Sequence, residues 1–323
     1  MAKRWHVGGA ALSPYLRGVM VVVLVVSIGL NVFLLGRHDK QSVTNQQASS
    51  YPLLAKRIFS ENPNDVLIDF APLRAALRQY FGQVNADYSF YFEYLFTGSS
   101  VRIDASEDDG IVAASLVKLP IVMNLYRAVE LGRLQLNQEV EIQAEWLDKG
   151  FGDLWKQGAG TKITLQQAAQ LALQQSDNTA VRVIQESVVP VMAEGEFALQ
   201  VLDVDHVVGG DLRTKIRAKE YSSILKCLYL ACFVNEDHSQ QILRDLTQTS
   251  FSDRIPAGVP KDVLVAHKIG VYGDEADSDC GIVYLPNRPY LLCIMLSLPA
   301  AQANQYMVAV SRLVYDFVSD QDH

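Results

Sequence analysis

Charge is missing from one stretch of this 323-residue chain: no Asp, Glu, Lys or Arg lies between Arg17 and Arg37. The segment 18–36 carries Val-Met-Val-Val-Val-Leu-Val-Val at its heart, and its length is close to the ~20 residues a helix needs to cross a bilayer core. A small-x-small cleavage site is missing as well. Asn31 to Gly36 runs directly into Arg37-His38-Asp39-Lys40, so an uncleaved anchor fits better than a removed signal peptide. Lys3, Arg4 and Arg17 precede the segment and Arg37 and Lys40 follow it. That slight bias favours a cytoplasmic N-terminus and an exported body. Basic clusters with interleaved aromatics are absent, and the formal net charge is −8, which argues against a nucleic-acid surface.

Cysteine is scarce, at four residues, and the four do not form a metal-binding pattern. Cys227 and Cys232 fall in one apolar stretch read as a helix, too close along it to face each other. Cys280 and Cys293 flank a turn at Pro286-Asn287-Arg288-Pro289, so they are expected as near neighbours on adjacent strands. Either a disulfide or two buried thiols fits that position.

These features divide the chain into a cytoplasmic N-terminus (1–17), a transmembrane anchor (18–36), a polar tether (37–64) and a globular domain (65–323). Within the domain, Leu67 to Phe81 has helical apolar spacing. Aromatic Tyr88 to Phe96 and then Val101 to Asp104 read as two strands around Thr97-Gly98-Ser99-Ser100. A helix is expected from Ser115 to Leu131, with Gly132 as its cap. Thr164 and Gln167 form a capping-box pattern for a helix to Gln175. Further helices are expected over 178–189, 215–233 and 302–318, and strands over 263–269, 281–285 and 290–298. Strands near both ends with helices between them predict an α/β (α+β) domain: one sheet closed by the two termini, plus a helical lobe. A cleft between the two is a common place for a site.

The most informative residues are Ser115-Leu116-Val117-Lys118. A serine and a lysine three apart share a helix face. Serine is a weak nucleophile at neutral pH and needs a base within reach. Lysine can serve if desolvation or cationic neighbours lower its pKa. Ser176-Asp177-Asn178 falls between two helices, where it can offer a hydroxyl and an amide to a cleft. His267-Lys268-Ile269-Gly270 ends a strand, with a glycine where a ligand could approach the backbone.

In this order the three elements resemble the Ser-x-x-Lys, Ser-Asp-Asn and Lys-Thr-Gly motifs of class A β-lactamases and penicillin-binding proteins. The resemblance runs from about Leu67 to Phe317 and implies a β-lactamase/transpeptidase-like fold, an antiparallel sheet flanked by helices plus a helical lobe. It implies Ser115 as nucleophile, Lys118 as its base and Ser176 as proton relay to the leaving nitrogen. Asn178 would hold Lys118 and a substrate amide. Lys268 would supply charge for a substrate carboxylate, with Gly270 beside it. The N–H groups of Ser115 and Tyr272 would form an oxyanion hole. No cofactor or metal is implied. The expected partner is a β-lactam or a peptidoglycan peptide, handled by a monomer at the outer face of the cell membrane.

Two departures qualify the resemblance. Ile269 stands where the family usually has threonine, which would remove a donor for a substrate carboxylate if that side chain faces the cleft. The Glu-x-x-Leu-Asn pattern that activates the deacylating water in class A β-lactamases is absent. Asp203 or Asp205 could substitute for the glutamate, whereas His206 reads as a loop residue and Glu194 and Glu196 come too early. The departures favour a D,D-peptidase over an efficient β-lactamase, and leave open a catalytically silent cell-wall-binding module.

Overall fold

The computed structural model of the protein describes residues 68–105, 110–204 and 214–321. The expected anchor and tether lie outside the described residues. Among the described residues no helix is long and apolar enough to cross a membrane.

The domain opens with helix α1 (Ala71–Phe81), whose Leu73, Leu77 and Phe81 are buried at helical spacing. Strands β1 (Tyr88–Tyr94) and β2 (Ser100–Asp104) form an antiparallel hairpin with Phe92 opposite Val101. The short β3 (Ile111–Val112) leads to a single 3-10 turn, Ala114–Val117, which runs directly into α2 (Lys118–Glu130). Helix α2 ends as its glycine suggests. Gly132 has φ +70°, and the next N–H, of Arg133, reaches back to the Ala128 carbonyl at 3.0 Å.

The lobe continues through β4 (Glu139–Glu141), β5 (Lys162–Thr164), α3 (Leu165–Gln174), α4 (Asn178–Val188), α5 (Ala198–Val201) and β6 (Lys215–Ile216). Thr164 and Gln167 form the full reciprocal capping box at the start of α3. Helices α6 (Ala218–Tyr229) and α7 (Glu236–Thr247) follow. Strands β7 (Val265–Tyr272), β8 (Ala276–Val283) and β9 (Tyr290–Leu296) and helix α8 (Ala300–Ser319) complete the domain.

The main sheet has the order β2-β1-β9-β8-β7, antiparallel at every pairing. The last strands of the chain thus lie beside the first, as expected. Helices α1 and α8 cover one face with a core that includes Phe90, Phe92, Leu292, Ile294, Met307 and Val314. Removing a side chain of this size from water contributes roughly 1.5–3 kcal/mol. Helix α6 packs on the other face. The N–H of Ala218 at its start donates to Ser89 Oγ at 2.8 Å, and Lys226 pairs with Glu93.

Two expectations are corrected here. The stretch 215–233 is not one helix: α6 stops at Tyr229, Ala231 turns with φ +51°, and the Cys232 N–H returns to the Cys227 carbonyl at 3.0 Å. That reversal brings the two cysteines into a disulfide with Cα atoms 5.1 Å apart. Helix α7 went unread because its first half, Glu-Asp-His-Ser-Gln-Gln, is polar, and its apolar face emerges only at Ile242, Leu243 and Leu246. Cys280 and Cys293 lie directly opposite each other on β8 and β9 and are also disulfide-bonded.

Candidate active site

Ser115 sits on the 3-10 turn, with Lys118 three residues later at the first position of α2. A 3-10 helix has three residues per turn, so positions i and i+3 eclipse. Both residues are buried, Ser115 at 6% exposure and Lys118 at 1%. The turn rests against β7. A Cβ built on Gly270 would lie 2.7 Å from the Ala113 carbonyl oxygen and 2.9 Å from Leu116 Cγ, so only glycine lets strand and turn come this close. Among the described residues β7 is the last strand of its sheet, so no strand pairs with its outer edge there. Tyr272, half-buried, is its final residue.

Ser176 lies between α3 and α4 with φ +55°, a left-handed conformation uncommon for serine that costs about 1–3 kcal/mol unless its surroundings hold it. They do. Lys118 Nζ donates to the Ser176 carbonyl oxygen, to Ser176 Oγ at 3.1 Å and to Asn178 Oδ1. Lys268 Nζ donates to the same Ser176 Oγ at 3.0 Å and to the Ile269 carbonyl at 3.1 Å. The fully buried Asp177 caps α4 through the Ala180 N–H at 2.8 Å and accepts from the Leu154 N–H at 2.9 Å. A hydroxyl oxygen has two acceptor positions. With a lysine at each, the Ser176 proton is free to point elsewhere.

Two buried amines this near each other resist protonation. Burial lowers the Lys118 pKa to about 8, against the pull of Asp177 and Asp148. Burial, followed by repulsion from Lys118, lowers Lys268 well below the usual range. Desolvation disfavours the charged amine, so lysine becomes available as a base near neutral pH.

The sheet alternation decides the orientation of Ile269. It lies opposite Asp279, beside the His267 Nδ1···Asp279 Oδ1 contact of 2.7 Å, on the sheet face away from the Lys268 side chain. It is 2% exposed. The same face holds a paired ionic cluster in which Arg254 donates to both oxygens of Asp277, at 2.9 and 2.8 Å. Isoleucine is thus covered core, not an open wall.

Sequence reasoning missed Asp148. Its Oδ1 accepts from Asn178 Nδ2 at 2.9 Å and from the Gly150 N–H at 2.7 Å. Partial burial opposes its charge, but Asn178, Gly150, Lys118 and Arg182 outweigh that and hold its pKa below the ordinary value. The signal available in the sequence was the Gly150 and Gly152 pair, because both glycines pack against the Ser-Asp-Asn segment. The carboxylates considered from sequence are elsewhere. Asp203 is exposed at the end of α5, Glu194 is exposed, and Glu196 pairs with Arg133. Asp205 and His206 lie outside the described residues.

A model of the beta-lactamase enzyme family matches residues 72–318. The chain belongs to the beta-lactamase enzyme family. Beta-lactamase VEB-1 of Pseudomonas aeruginosa is 23% identical over 196 residues, which is 54% of this chain and 65% of that relative's length. The structure of PBP-A is similar with a TM-score of 0.70 at 22% identity, over 78% of this chain and 97% of the other. A beta-lactamase from Sphaerobacter thermophilus DSM 20745 is similar with a TM-score of 0.65 at 18% identity, over 79% and 100%. At these identities the structural likeness shows the fold. It bears out the β-lactamase-like arrangement of antiparallel sheet and helices.

Proposed function

We propose that this beta-lactamase family member cleaves an amide through an acyl-enzyme on Ser115, acting on a cell-wall peptide ending in a carboxylate or on a β-lactam. One observation carries the reading: two buried lysine amines and the Asn178 amide meet around Ser176, beside the turn that bears Ser115. Neutral Lys118 takes the Ser115 proton as Oγ attacks the carbonyl carbon. The N–H groups of Ser115 and Tyr272 receive the developing oxyanion. Ser176 gives its proton to the departing nitrogen and regains one from the lysine pair, so proton and leaving group balance. A substrate carboxylate supplies the counter-charge that Lys268 lacks, with Gly270 leaving room at the strand.

Within this class we favour a D,D-peptidase over an efficient β-lactamase, because the sequence has no Glu-x-x-Leu-Asn water-activating pattern. An acyl-enzyme complex with penicillin-G exists for a mutant of the structural relative PBP-A, which supports acylation as the outcome here. The apolar segment 18–36 supports membrane anchoring with an extracytoplasmic domain, and we read the protein as a monomer.

Incubation of the full chain with a fluorescent penicillin tests the proposal. The expected result is one covalent label that Ser115→Ala abolishes. No label on the wild type, with a known family member labelled alongside, would reject acyl transfer in favour of the silent cell-wall module. Rapid nitrocefin turnover would reverse the preference for a peptidase.

A further inference from the structure

Asn178 is the residue from which an incoming substrate amide is expected to take an N–H, and one of its two amide N–H groups is already engaged. Asn178 Nδ2 donates to Asp148 Oδ1 at 2.9 Å, while Asn178 Oδ1 is held by Lys118. The arrangement is built in. The Asp148 N–H is tied to Thr179 Oγ1 at 2.9 Å, the Asn178 N–H donates to the Phe151 carbonyl at 3.0 Å, and the Gly150 N–H closes onto Asp148 Oδ1. Glycine is required for this fit. A Cβ on Gly150 would come within 2.8 Å of Asn178 Nδ2, and one on Gly152 within 2.0 Å of Asp177 Oδ2. Asp148 itself is exposed at the lip of the site. Only its Oδ1 is hydrogen-bonded among the described residues. Lys118 and Arg182 act on it through charge alone.

An ionised carboxylate accepts hydrogen bonds and cannot donate them. Asp148 takes one of the two N–H groups of Asn178 Nδ2 and leaves the other for a substrate carbonyl. A substrate ammonium group meets a partner with a free oxygen. We infer that Asp148 is a specificity-determining residue: it fixes the direction of the Asn178 amide and, through its second carboxylate oxygen, selects substrates that present a cationic donor at this lip. The inference rests on the acyl-transfer reading above and assigns that site a substrate class, an acyl donor bearing a free ammonium group near the scissile amide.

Benzylpenicillin and ampicillin differ in their acyl side chain by one ammonium group and serve as probes. Second-order acylation rates are measured on the full chain and on Asp148→Ala and Asp148→Asn. Wild type is expected to favour ampicillin. In Asp148→Ala the ampicillin-to-benzylpenicillin ratio falls by about tenfold, the scale of one charge-assisted hydrogen bond. Asp148→Asn keeps an acceptor for Asn178 and loses the charge, so its ratio falls although the Asn178 amide stays held. In wild type the ratio also shrinks as salt rises from low to physiological strength, a readout that needs no variant. A ratio unmoved by both substitutions and by salt, with the two rates changing together, overturns the inference and leaves a structural role. No acylation of wild type by either probe instead removes the acyl-transfer reading and this inference with it.

Discussion

Lys118 and Lys268, 150 positions apart in the chain, donate to one atom: Ser176 Oγ, at 3.1 and 3.0 Å. That shared acceptor joins the first helix of the lobe to the edge strand of the sheet. It also joins the titration of the two amines, because each ammonium raises the cost of the other.

Ser176→Ala removes the shared acceptor but leaves the backbone carbonyl to Lys118. Penicillin labelling of Ser115 is expected to slow about 100-fold, the lower end of what a positioned proton donor contributes. The rising, acid-side limb of the pH–rate profile also moves to lower pH, since the ammonium form of Lys118 loses a partner. A change in rate with no movement of the limb would mean that the hydroxyl does not hold the amine.

In the proposed mechanism the neutral form of Lys118 is the base, and burial sets its pKa at about 8. Acylation should therefore rise about tenfold per pH unit below 8 and level off above it. Labelling rates from pH 6 to 9.5 check the sign. A rate that falls as pH rises through 8 would show that the ammonium form is the one required.

Gly152→Ala forces a Cβ to within 2.0 Å of the Asp177 carboxylate at a backbone φ of +79°. Asp177 caps α4, so cap and loop are lost together, at an expected cost of about 3 kcal/mol or more. Gly195→Ala is the control. It has a similar φ of +84° with nothing within 4 Å of the added atom, and should cost only about 1–2 kcal/mol. Urea unfolding of the two variants gives the comparison, and equal losses would show that Gly152 serves the backbone alone.

The paired replacement Cys280→Ala/Cys293→Ala opens a link between residues 13 apart, and Cys227→Ala/Cys232→Ala opens one between residues 5 apart. Chain entropy assigns about 3 and about 2 kcal/mol to the two. Urea midpoints under non-reducing conditions should fall in that order. The reverse order would point to native-state packing around the shorter link.

Much of the fold was legible because its signals are local. The capping box at Thr164 and the glycine stop at Gly132 are decided by residues within a turn of one another. The three site motifs were legible as text, and their order in the chain matched the beta-lactamase family. The break after α6 was not, because Ala231 adopts a left-handed turn that glycine would have announced. Nor was the direction of Ile269, which depends on its register against Asp279.

The sequence by itself determined which chemical groups are present, the order of the elements and the short-range geometry that sets Ser115 one turn from Lys118. Tertiary structure alone decided that Lys268 shares an acceptor with Lys118 and that Asp148 holds the Asn178 amide. The physical reason is distance along the chain. A hydrogen bond between residues 30 or 92 apart is fixed by how helices and strands pack, and the pKa of a lysine by how much water that packing removes.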